Sequence, residues 1–598
     1  MTHLLPIAAA LLLHGLATAA VLSLCATGMA VTLRLTGFPN YAHAVFATIG
    51  AHATILALNL APGAAIPPAA AIVGSLAAFA IVSVLAAAAE RVLIVRVYDA
   101  TPRDRILFAA GLAIAAGALV RAIAGPDALP APSPDQTRAA AGFQAPLTIL
   151  AATLAIGVLL WLGVRRTRFG VQLRATLDNR RAAESMGVDT ARVVTAVFAL
   201  GAGLAAAGGV LGLTLENHLR TGILALDPAS AARFMVYGPL AAAIGGADTW
   251  KGPIAGALSL GFADTADTWL LPGTGPLLVA AAGAVLLVWR PEGLLGRARP
   301  AARLAPAPPR LRPPSFRGTL VWAIAATAWF ALDGQRPLAS LVPVAVLFAM
   351  SLDLVMGFAG VATLGHAAFV GFGAIAASLF AARISPEPLM GLVAAVLATA
   401  AMGAATSLVA ARAHGWTQPI PTLVLAMAAA AMGDGFAPPG TGCGIAPPAA
   451  ALSGTAGPAL SLIAAGAVWF GLRRLLAAPF GEALTAAEPP AAHRAAAWTI
   501  GAAIAGLAGG LLVQTAGFAG PDAFGPAASA EAALILAIGG IGRLHGAVVG
   551  AALWTIGLHH LAGPDPEFLD FWIGAGLATA VLSLPGGLMG TIEAFRAA

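Results

Sequence analysis

Two stretches, AIGGADTWKGPIAGA at 243–257 and AIGGIGRLHGAVVGA at 537–551, share A-I-G-G and a later G-x-x-x-G-A at an offset of 294 residues. One copy falls near the end of each half of a 598-residue chain. The repetition continues outward in a fixed order. WRPEGLLG (289–296) and SLPGGLMG (583–590) share P-x-G-L-x-G at the same offset. GFPNYAHAVFATIGA (37–51) and GFAGVATLGHAAFVGFGA (357–374) share H-A-x-F-x-x-x-G-A after Gly-Phe. RFG (168–170) answers PFG (479–481), and AAAGGVL (205–211) answers GLAGGLL (506–512). The chain is therefore one unit written twice.

Composition fixes the solvent. The chain is 59% hydrophobic and 10% charged, against roughly 45–50% and about 25% in a soluble domain. Windows such as 5–31, 66–89, 147–164, 389–411 and 456–472 are nearly free of charge and long enough to cross a bilayer. Ten-residue segments of alternating hydrophobicity, the mark of a membrane β-barrel, do not occur. The expected fold is all-α, a polytopic membrane protein of roughly 16–18 spanning or re-entrant helices in two parallel homologous halves. The halves are 1–296 and 319–598. Between them, 297–318 (RARPAARLAPAPPRLRPPSFRG) reads as an extended cytoplasmic linker.

A formal charge of +6 could mean nucleic acid, but the arginines cluster in short breaks between apolar segments: 91–105, 165–192, 290–317, Arg412 and 473–494. That placement marks cytoplasmic loops. The Pro-rich loop 126–144, with one arginine, is expected to face outward. Cys25 and Cys443 form no CxxC and point to neither a disulfide framework nor zinc. The N-terminus lacks the basic region of a signal peptide and is expected to stay as the first helix.

Both halves run toward a basic, cytoplasmic P-x-G-L-x-G, so the repeat is parallel, an arrangement that can enclose a pathway between halves. Gly246, Gly252 and Gly256, with Gly540, Gly546 and Gly550, fit close helix packing. A helix break at membrane depth is the other reading. Three apolar segments between Arg192 and Arg290, and three after Arg494, leave one segment per half to be re-entrant or split.

Single residues invite sharper readings. His43 and His366 occupy equivalent places and are read as packed, hydrogen-bonded imidazoles before pathway residues. Asp353 lies in a span, where an ionisable group faces an interior or a cavity, and is a pathway candidate. Glu531 is read as a helix cap, and His559, His560 and Glu567 as loop polarity rather than a metal site.

Residues 166–193, RTRFGVQLRATLDNRRAAESMGVDTARV, are charged and cytoplasmic yet helical in spacing. Leu173, Leu177, Ala182 and Met186 form an apolar stripe, and Gly187 ends the helix. Such a segment lies on the bilayer or docks into a partner. After Phe480-Gly481 the second half is about ten residues shorter and is interrupted by Pro489 and Pro490.

GFPNYAH, ERVLIVRVY, the 166–193 segment, IGGADTWKGPIAG and RPEGLLG together resemble one permease subunit of the branched-chain amino acid ABC importers. The second half, with LDLVMGFAGVATLGHAAFVGFGA, GTGCGIAPP, SAEAALILAIGGIGRLHGAVVGA and LPGGLMG, resembles the other. The resemblance spans nearly the whole chain except the linker. It implies a fused permease in a bacterial inner membrane, importing branched-chain amino acids or related small solutes. It further implies a periplasmic binding protein that delivers the solute and two ATPase subunits below. It assigns ATPase coupling to the segment of Phe169, Gly170, Leu173, Arg174, Leu177, Met186 and Gly187. Lys251 is the chain's single lysine and is followed by Gly252, so no G-K-[ST] phosphate loop exists. The chain is therefore expected to be no enzyme and to bind no cofactor, with ATP hydrolysed by its partners. An ion-coupled transporter of a small solute is the alternative. No paired carboxylates or His-Glu cluster supports a membrane-embedded enzyme.

Overall fold

The computed structural model describes residues 4–59, 68–124, 144–219, 228–270, 277–297, 337–412, 415–435, 454–517, 520–561 and 568–597, with a few single positions in 308–329 and Leu452. Most of the linker, the 126–144 loop up to 143, and GTGCGIAPP fall outside the described residues, as do the side chains of His559 and His560. The described residues are helical, with no strand among them. They form two compact units, one of residues 1–100 and 104–299, the other of 101–103 and 300–598.

In the first unit the apolar helices are α1 (Leu4–Thr36), α2 (His43–Asn59), α3 (Pro68–Val92), α4 (Pro102–Ala124) and α5 (Gln144–Arg166). Two short helices follow, α6 (Arg168–Asp178) and α7 (Arg180–Ser185). Then come α8 (Thr190–Leu219), α9 (Pro228–Gly245), α10 (Gly252–Leu270) and α11 (Leu277–Trp289). The second unit repeats the series: α12 (Pro337–Leu352), α13 (Ala367–Arg383), α14 (Pro388–Arg412), α15 (Pro419–Gly435) and α16 (Ala456–Leu476). A single short helix, α17 (Pro479–Leu484), precedes α18 (Ala491–Ala516), α19 (Pro526–Gly539), α20 (Leu544–Leu561), α21 (Leu569–Ser583) and the terminal α22 (Gly587–Ala597). Ten described helices are long and apolar enough to cross a membrane.

Packing repeats as the sequence does. In the first unit α8 is the central helix, touching α1, α2 and α3; in the second, α18 touches α12, α13 and α14. The first helix of each unit also packs on the helix that follows the glycine motif, α1 on α10 and α12 on α20. Like contacts in like order make the two units versions of one fold.

One difference is a change of helix type. TLRLTGF (32–38) and SLDLVMGF (351–358) differ by one residue between the charged position and Gly-Phe. α1 runs unbroken to Thr36, whereas Asp353–Phe358 is a π-helix. A π turn holds one residue more than an α turn, so the insertion is absorbed without shifting its flanks.

Candidate functional site

The opening motifs each become a helix, a break and a helix. Four helices, not three apolar segments, lie between Arg192 and Arg290, and four apolar helices follow Arg494 in the second unit. The motif divides what reads as one stretch into α9 and α10, or α19 and α20. Pro526–Gly539 and Leu544–Leu558 meet at 113°. Gly246 (φ +94°), Gly540 (φ +119°) and Gly542 (φ +78°) carry the reversal in left-handed backbone.

Packing and breaking are the same feature. A Cβ on Gly252 would overlap the carbonyl of Gly246, and one on Gly256 that of Ala241. In the second unit a Cβ on Gly546 would lie 2.6 Å from the Gly540 carbonyl oxygen, and one on Gly550 would overlap that of Ile535. The preceding glycines Gly245 and Gly539 meet the carbonyls of Gly252 and Gly546 in the same way. They were visible in the shared A-I-G-G but have no turn conformation to single them out.

The P-x-G-L-x-G segments seat on these breaks. Leu294 N–H donates to the Ile244 carbonyl (2.7 Å) and Leu295 N–H to that of Gly245 (3.0 Å), closing the C-terminal end of α9. Gly587 packs on the backbone of Gly539 and Gly540. Arg543 reaches from the second break to Glu593 on α22 (2.8 Å). The two repeated motifs are therefore two sides of one contact in each unit.

Asp353 is fully buried, and its Oδ1 accepts from Gly542 N–H at 2.6 Å. His366 is also fully buried. Its Nε2 faces Ser351 Oγ at 3.2 Å, and Ser351 Oγ donates to the Phe348 carbonyl. Phe348, Phe369 and Trp498 enclose the ring. His43 is buried against the backbone of Gly28 and Gly201, but neither ring nitrogen reaches hydrogen-bond geometry. Glu531 is the sixth residue of α19 rather than its cap, and it accepts from Trp554 Nε1 at 2.8 Å.

The expected stripe divides: Leu173 and Leu177 turn inward, whereas Ala182 and Met186 are exposed. Leu173 is buried against Val193 and Val197 of α8, with Phe169 and Leu177 beside them. The cause is Gly170, whose missing side chain lets α6 fold back onto the Val164 carbonyl at the end of α5. Thr167 caps α6 by accepting from Gly170 N–H (3.1 Å), and Arg174 donates to the Val164 carbonyl. Gly187, at φ +83°, ends α7. What faces outward is Val171 (56% exposed) and Met186 (84%). In the second unit Gly481 likewise folds onto Leu476, and Leu484 is buried. The match to Leu484 is thus Leu173, three residues after the glycine, and not Leu177.

ERVLIVRVY also holds Glu90, which no periodicity or repeat singles out. It is buried near the end of α3, its Oε1 accepting from Tyr98 OH (2.9 Å) and its Oε2 from Thr195 Oγ1 on α8 (2.8 Å). A carboxylate closing an apolar run was the available signal. Burial and the adjacent Glu90 carboxylate raise the Tyr98 phenol above its ordinary range, so it stays a donor to Glu90.

Two units of apolar helices, each with a glycine-lined break and a charged segment between spans, define a multi-pass membrane protein. The chain belongs to the family described as branched-chain amino acid transport system / permease component, whose profile matches residues 11–288 and again 337–558. That family supplies the permease component of ABC-type transporters, working with ATPase and binding-protein partners. Neither a curated protein nor a solved structure matches the chain.

Proposed function

We propose that the chain is a fused permease of an importer for branched-chain amino acids or related small amphipathic solutes in a bacterial cytoplasmic membrane. A periplasmic binding protein delivers the solute, and two ATPase subunits supply the work from the cytoplasmic side. The observation that carries this reading is the double family match, one to each half, on units with the same helix order and the same glycine break. The arginine-rich loops orient the 166–193 segment toward the cytoplasm, where an ATPase would meet it.

The test is reconstitution. The purified chain alone is expected to neither hydrolyse ATP nor accumulate solute in proteoliposomes. Adding the ATPase subunits and the binding protein is expected to confer leucine, isoleucine or valine uptake that depends on ATP. Uptake driven by an ion gradient without any ATPase would replace this reading with a secondary transporter.

A further inference from the structure

The second break carries a contact that the first lacks. Asp353 sits at the start of the π-helix and is fully buried. One carboxylate oxygen accepts from Gly542 N–H at 2.6 Å, while the other, Oδ2, is buried with no hydrogen-bond partner. Leaving a buried carboxylate oxygen unpaired is unfavourable, so stability alone does not account for the residue. At the corresponding place in the first unit Arg34 is exposed on an unbroken α-helix.

Two further features belong to the same contact. Gly542 lies in left-handed backbone (φ +78°), which turns its N–H toward α12. Gly357, inside the π turn, is where a Cβ would overlap Asp353 Oδ1 and stand 2.6 Å from Gly542 N. The one-residue insertion, the glycine within it and the carboxylate at its start all converge on one amide of the break.

We propose that Asp353 is a positioning residue for transport. Its carboxylate holds the break between α19 and α20 against the π turn, setting the geometry of the break during the cycle. The role requires one acceptor atom at Oδ1, not a charge. Its consequence for transport rests on the importer reading; the latch itself does not.

The experiment has two arms on the full chain. In lipid nanodiscs without partners, hydrogen exchange is read on the peptide spanning 540–546. Asp353→Ala is expected to speed exchange there by about tenfold, the loss of one hydrogen bond. Asp353→Asn, which keeps an acceptor, is expected to exchange like the parent. Gly357→Ala, whose Cβ would crowd both Asp353 Oδ1 and the Gly542 backbone, is expected to loosen the parent as well. In the assembled complex, Asp353→Ala is expected to lose most substrate-stimulated ATP hydrolysis and keep the basal rate, with Asp353→Asn restoring the stimulation. Equal exchange in Ala and parent, or Asn as fast as Ala, overturns the latch. Faster exchange with undiminished stimulation overturns its role in transport. Failure to assemble with any ATPase would sink the importer reading instead, leaving the exchange result to decide the latch.

Discussion

At Gly256 and Gly550 the absence of a side chain lets one helix rest on the backbone of another. Each would place a Cβ on a carbonyl of the preceding helix, Ala241 or Ile535. Backbone on both sides cannot rotate away, so Gly256→Val and Gly550→Val are each expected to lower stability by at least about 1–3 kcal/mol, as overpacking does. Thermal unfolding in detergent measures this. Gly157→Ala is the control, since its Cβ would meet nothing within 4 Å, and helix propensity favours alanine there by roughly 0.5–1 kcal/mol. Glu90 poses a different residue-scale question. Glu90→Ala strands the hydroxyl of Tyr98, at up to about 1–3 kcal/mol for an unsatisfied buried group, while that of Thr195 keeps the Ala191 carbonyl at 3.1 Å. Glu90→Gln keeps an acceptor for Tyr98 and is expected to recover most of the loss in the same measurement.

The short helices after α5 and α16 show how an element can be legible in sequence while its orientation is not. The spacing of Leu173 and Leu177 announces an amphipathic helix, but periodicity carries no information about which surface takes the apolar face. Gly170 decides it by letting α6 fold onto α5, which turns Leu173 toward Val193 and Val197. Leu173→Ala and Leu484→Ala are therefore folding variants, each expected to lose about 2–3 kcal/mol and to open its segment to limited proteolysis. The turn from α7 into α8 has a pH dependence of its own. Hydrogen bonds from Thr190 Oγ1 (2.5 Å) and Arg180 Nε (3.2 Å) hold the Glu184 carboxyl below its ordinary value. A depressed carboxylate stabilises the folded turn above its unfolded value and ceases to do so as pH falls through the folded one. Hydrogen exchange at 184–192, taken relative to the intrinsic rate at each pH, is thus expected to be flat from neutral to mildly acidic pH and to rise only in strong acid. Glu184→Gln should abolish that rise.

For the whole molecule, the repeat told most of what the fold is. Matched motifs in fixed order gave two like units, and apolar windows between arginine clusters gave their helices. The break was harder to read, because A-I-G-G followed by polar residues fits a packed span as well as a split one. Asp353 was harder still: its partner, Gly542, is 189 residues away, and only the folded second unit brings them together. The two units also differ where a partner would bind. The first presents α6 and α7, with Val171 and Met186 outward and arginines 168, 174, 180 and 181 outnumbering Asp178 and Glu184. The second presents the six residues of α17, its apolar Leu484 turned inward, with Glu482 and Glu488 before the Pro489-Pro490 stop. No large apolar side chain is exposed among the described residues between 477 and 494. Binding energy concentrates in side chains that become buried on docking, so coupling to ATP hydrolysis is expected to run chiefly through the first segment. Val171→Asp combined with Met186→Asp adds charge to an exposed face without touching the Leu173 cluster. That double variant is expected to cut substrate-stimulated ATP hydrolysis by about tenfold or more, since an unpaired charge in an interface is costly. Its melting temperature should match that of the parent. Ala487→Asp, on the exposed second segment, is expected to leave the stimulated rate within about twofold, there being little contact to lose. Equal losses at the two segments would mean that the short loop docks as deeply as the long one, and that backbone contacts stand in for the side chains it lacks.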